Sequence, residues 1–149
     1  PIHGPAAGDS LSAIVLSDGY YDFALANTTI LEGVRVLTPG ALIHLKARAW
    51  LDLTARRNAG EHIDSKDIKK HRGDICRLSQ LITPDVRLDV PQRMQDDVAN
   101  FVIAALSDGP EPAEYRVRGI TLEELAELLR RAYQVEPTTV GEECPEYAL

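Results

Sequence analysis

Cysteine is scarce in this chain. Only Cys76 and Cys144 occur in 149 residues. They lie far apart, without CxxC spacing or a nearby second ligand, so neither a disulfide framework nor a thiolate metal site is expected. Both read as reduced thiols of a cytoplasmic protein. Long apolar runs are missing too, which excludes a membrane-spanning helix, since a span needs about 20 apolar residues. No basic-plus-apolar leader opens the chain. It begins with proline rather than methionine and reads as a processed product or a fragment. There is no GxGxxG or GxxxxGK[ST] loop to cradle phosphates, no serine elbow and no HExxH. The four histidines, His3, His44, His62 and His71, have no metal-ligand spacing among themselves.

What is present is enough apolar material, 44% of residues, for one real core. The charge of −7 is spread unevenly. Residues 1–40 carry one base and four acids, residues 41–80 nine bases and five acids, and residues 81–149 six bases and fourteen acids. The overall acidity argues against non-specific nucleic-acid binding. The basic middle segment leaves room for one phosphate-contacting face, although a solvated helix face is the commoner origin of such a stripe.

Local signals divide the chain. Ser12–Ser17 is a short β-type run, and Tyr20–Leu25 reads as a short helix. Thr28–Leu31 and Val34–Leu37 flank Glu32-Gly33, as in a tight hairpin. Thr38-Pro39 combines a capping threonine with a proline at the first helical position. That helix fades over residues 56–60. A second runs from Ser65 to Ile82, capped by Asp64 or Ser65 and stopped by Thr83-Pro84. Pro91 opens a third, with Met94, Val98, Phe101, Val102 and Ala105 on one face, stopped over residues 107–110. Thr121 and Glu124 form a capping box for a fourth, with Leu122, Leu125, Ala126, Leu129 and Tyr133 on its apolar face. The fold class is α+β: a small N-terminal antiparallel β element, residues 1–38, then a bundle of about four helices, residues 39–136, then an acidic tail, residues 137–149. So few strands make a poor independent sheet, and further strands from another segment or another chain are expected to complete it.

Within the first two long helices some charges sit on the wrong side. Lys46 has Leu42, Ile43, Ala49 and Trp50 as its i±3 and i±4 neighbours, all apolar. His44, Arg48 and Asp52 form a polar row roughly opposite, where His44 is expected to be solvated. In the second helix, Asp67, His71 and Asp74 fall on or beside the stripe of Ile68, Ile75, Leu78 and Ile82. Lys66, Lys69, Lys70 and Arg77 take the other face. A lysine, two carboxylates and a histidine therefore point inward together. They form either a structural ion pair that docks the helices or part of an active site. Trp50 is expected in the core, and His62 is expected to pack within its loop.

The segments Gly33–Leu37, Leu42–Leu53 and Gly60–His71, with the opening Ser10–Leu16 and Tyr20-Tyr21, resemble the C-terminal half of bacterial nucleotidyltransferase-like proteins related to the AbiEii toxins. The resemblance spans roughly residues 10–105 and implies a partial nucleotidyltransferase fold. It matches Lys46 to the family's motif lysine near the nucleotide phosphates. It matches Asp67 to the later motif carboxylate, a base or a partner for the lysine. Lys66 and Lys70 stand as candidate nucleotide-binding residues beside them. The family's Gly-Ser turn and its two metal-binding carboxylates have no counterpart here. Mg²⁺ and an NTP are thus implied for a complete protein, with the metal ligands outside this chain and no metal held by it.

The function expected from this resemblance is transfer of a nucleotide from an NTP to an unidentified acceptor, RNA or protein, in a toxin–antitoxin or phage-defence setting. The chain alone is expected to be inactive. The alternative is a non-catalytic helical interaction domain, binding a protein partner or a second copy of itself. A third reading is an RNA-contacting module using Lys66, Lys69, Lys70 and Arg77. No membrane partner is expected.

Overall fold

The computed structural model describes residues 19–107 and 109–136. The β-type run at Ser12–Ser17, Cys144 and the tail from Pro137 lie outside them. The described part is α+β, with one two-stranded antiparallel sheet and helices around a shared core.

Helix α1 (Tyr20–Ala26) starts after Gly19, whose φ of 82° is left-handed. Strands β1 (Thr28–Leu31) and β2 (Val34–Leu37) pair with Leu31 opposite Val34. The two tip residues, Glu32 and Gly33, both have positive φ, 51° and 79°. That conformation matches the right-handed twist of the flanking strands and explains the glycine. The hairpin is open on both faces: Ile30, Leu31 and Val34 are well exposed.

Helix α2 (Pro39–Asn58) begins as the sequence predicts. The Thr38 side chain accepts from the Ala41 amide, and Pro39 stands at the first helical turn. This helix is the centre of the molecule. Ile43, His44, Leu45, Ala47, Ala49 and Trp50 are all buried, so nearly every side of its first half is covered. Trp50 meets Phe101 edge-on at 5.5 Å between ring centroids.

Helix α3 (Ser65–Ser79) is capped by Asp64, whose side chain accepts from the Lys66 amide. It ends three residues before the expected Ile82. The amides of Leu81 and Ile82 instead bond the carbonyls of Leu78 and Ser79, which tightens the last turn. Helix α4 (Gln92–Leu106) buries its predicted stripe of Met94, Val98, Phe101, Val102 and Ala105. A 3-10 turn, Pro112–Tyr115, was not foreseen. Tyr115 packs where a Cβ on Gly73 would stand, 2.8 Å away, so the turn requires glycine in α3. Helix α5 (Leu122–Ala132) carries the full Thr121/Glu124 capping box. Just past its end Tyr133 is fully buried, and its hydroxyl donates to the Gly40 carbonyl at the start of α2. No helix among the described residues is long and apolar enough to cross a membrane.

Candidate functional site

Two charged clusters grow from α2. The first is at Lys46. Its ammonium lies 2.6 Å from Asp74 Oδ2 on α3. The other oxygen of Asp74 accepts from Arg77, one turn on, at 3.0 Å. The Lys46 side chain is 15% exposed and that of Asp74 22%, whereas Arg48 on the same helix is 37% exposed. The lysine is thus more covered than the arginine and reaches a carboxylate of the next helix, as its apolar surroundings demand. Burial alone would push the Asp74 carboxyl up. Hydrogen bonds from Lys46 and Arg77 more than offset that and hold it below the ordinary carboxylate value.

Asp67 is not the partner of Lys46; Asp74 is. Asp67 sits two turns earlier on α3 and is half-buried, with no ion pair to Lys46 among the described residues. Lys66, Lys69 and Lys70 are exposed on α3. Arg77, expected on the far face with them, instead shares Asp74 with Lys46. His71 is buried, and its Nδ1 has no hydrogen-bond partner among the described residues. Burial first, and the charge of Lys46 second, push its imidazole below the usual value.

The second cluster was missed. His44, expected on a solvated face, is fully buried. Its ring faces α1 and α4 rather than water, while Arg48 and Asp52 further along the row stay partly exposed. Asp97 of α4 is the hub. Its Oδ2 takes the Tyr20 hydroxyl at 2.5 Å and lies 3.2 Å from His44 Nε2, while Oδ1 takes Arg48 Nη1 at 3.2 Å. Tyr20 stacks on the imidazole at 5.3 Å and 8°, and Phe23 meets it edge-on at 5.6 Å. The Arg93 guanidinium lies over the Tyr20 ring, 5.0 Å from its centroid. Burial, then the bond to Asp97, pushes the Tyr20 phenol up to about 12. Burial would raise the Asp97 carboxyl as well, but His44, Tyr20 and Arg48 hold it low. One signal for this cluster was present. Asp97 lies inside the apolar stripe of α4, between Met94 and Phe101, the same anomaly that singles out Lys46.

No protein-family model, curated protein or solved structure matches the chain.

The side chains of the two clusters do not suit a divalent cation. Among the described residues no three His, Cys, Asp or Glu side chains gather as ligands. Asp74 is already engaged by two cations, and Asp97 by three donors. A metal would have to displace them. Trp50 is core, as expected. His62 is exposed, because the turn at Gly60 carries the connection to α3 outward. Cys76 is buried and unpaired, its thiol pushed up by burial, which makes it a poor nucleophile.

Proposed function

We propose that this chain is the C-terminal part of a nucleotidyltransferase-fold protein, in which Lys46 meets the phosphates of an NTP. The observation that carries the reading is the presentation of Lys46. Its stem lies on an apolar helix face, Asp74 aims the ammonium, and the group keeps some exposure rather than being sealed in. A cation held in one orientation at a helix–helix seam suits a phosphate better than a freely moving surface lysine does. Lys66 and Lys70 add positive potential on the same helix as Asp74. Asp67 lies at the first turn of α3, where it is available to the acceptor or to a neighbouring cation. The complete protein moves a nucleotide to a hydroxyl-bearing acceptor, RNA or protein, in a toxin–antitoxin or phage-defence setting. Mg²⁺ is held there by carboxylates outside this chain, and this chain contributes charge and position.

A second reading rests on the hairpin. Tyr21, Leu25, Ile30, Leu31 and Val34 are five exposed large apolar side chains within fourteen residues of one another. Among the described residues both edges of the two-stranded sheet are open, and such a sheet is marginal alone. The patch suits either further strands of a larger sheet or a protein partner, the latter in keeping with a non-catalytic interaction domain.

The test is equilibrium binding of a fluorescent NTP to the chain, with Lys46→Ala beside it, followed by labelled-nucleotide transfer in the protein that also carries a Gly-Ser turn and metal carboxylates. Saturable binding lost in Lys46→Ala, with transfer only by the longer protein, is the expected result. Absence of both in every form leaves the interaction domain.

A further inference from the structure

His71 has no role in the proposed site, yet it shares a helix with Asp67, Lys70 and Asp74. It is more than nine-tenths buried. On its own helix Asp67 and Asp74 stand about one turn before and after it and Lys70 is its neighbour in the chain, and Lys46 of α2 reaches Asp74 at 2.6 Å; these four are the charges that act on the ring. Of the two carboxylates, Asp74 is already committed to Lys46 and Arg77. Two cations and two carboxylates therefore surround the ring, and the cations outweigh the carboxylates, Lys46 most of all. Nothing among the described residues bonds Nδ1, so no hydrogen bond there fixes the tautomer. The charge of the ring is left to follow the local potential.

We propose that His71 couples anion binding at Lys46 to the uptake of one proton, so that a triphosphate group binds more tightly as the solution becomes more acidic. This rests on the reading that Lys46 meets phosphate. Without an anion, burial and Lys46 keep the imidazole neutral near neutral pH. A triphosphate brings several negative charges to Lys46 and Lys70 and reverses the sign of that field. The imidazolium then becomes the favoured form. Linkage is reciprocal: if the anion raises the proton affinity of His71, protonation of His71 raises the anion affinity by the same factor.

The experiment follows the His71 ring carbon by NMR through a pH titration of the full chain, with and without inorganic tripolyphosphate. His71→Gln assigns the resonance among the four histidines. The expected result is an upward move of the His71 midpoint by about one pH unit, with about a tenfold gain in tripolyphosphate affinity across the same range. Tripolyphosphate itself titrates, so the gain is read as the difference from His71→Gln, which keeps the ligand's own protons and loses the coupling. Binding with an unmoved His71 midpoint overturns the inference and leaves the proposed phosphate site standing. Failure of tripolyphosphate to bind at any pH overturns both. If His71→Gln does not fold, Lys46→Ala takes its place: loss of the shift in that variant is the expected result, and a His71 midpoint that still moves with tripolyphosphate overturns the inference.

Discussion

Lys46 and Arg48 stand two residues apart on one helix and lead opposite lives. Lys46 reaches forward to a single carboxylate at a seam that keeps some exposure. Arg48 is itself the more exposed, yet it reaches back to a carboxylate that is buried and already holds a tyrosine and a histidine. What sets the character of a cluster is therefore the burial of its hub, not of its most visible cation. Asp97 joins three helices and has little access to water. Asp74 joins two and keeps some. A charge satisfied inside the protein is costly to leave unpaired, while one that shares itself with solvent remains available to a ligand.

The sharpest way to break that comparison is to cut each cluster once, at Asp97 and at Lys46. Asp97→Ala leaves the Tyr20 hydroxyl, His44 and Arg48 without their acceptor, and should cost about 3 kcal/mol in chemical denaturation, the lower end for a broken buried pair because Arg48 can turn to water. Lys46→Ala should cost only about 1 kcal/mol, since Asp74 keeps Arg77 and both side chains are partly solvated. Equal losses in the two variants would erase the distinction and return Lys46 to a purely structural role.

A pH series sharpens it further. Asp74 and Asp97 are both held below the ordinary carboxylate value. Their contribution is thus fully present above the unfolded value of about 4 and is lost as pH falls through the lower folded values. His71 is depressed as well. Its unfolded form binds more protons below about 6.5, so stability should begin to decline there, before the carboxylates respond. Denaturation midpoints measured from pH 7.5 to 3 should show two stages, and His71→Gln should flatten only the first. The smallest effect is expected at the hairpin. Leu31→Thr with Val34→Thr should change the stability of the isolated chain by less than about 0.5 kcal/mol, because both side chains are already exposed. Loss of association, measured by sedimentation, would show that the patch is used.

What was legible in the sequence was local. Thr38-Pro39, Asp64, Glu32-Gly33 and the Thr121/Glu124 box each act within a few residues, and each stands where it was read. Lys46 was legible because its own helix surrounds it with apolar groups. Its partner was narrowed to two carboxylates by helical phase, and only packing chose Asp74. The Asp97 cluster was not assembled from sequence because its hydrogen bonds join residues 77 and 53 positions apart. The phase of α2 did separate His44 from Lys46. It did not say that α1 and α4 would cover the side that looked polar.

The hydroxyl of Tyr133 meets the carbonyl of Gly40 across 93 positions of chain. During synthesis, α2 leaves the ribosome long before the residue that seals its first turn. Until then the capped start of the central helix lacks this tie, and its apolar surface awaits α5. This contact can therefore form only late, after most of the local structure before it can form. A polypeptide cut before Tyr133 should keep most of its helix-forming signals and still be open to proteases at the start of α2.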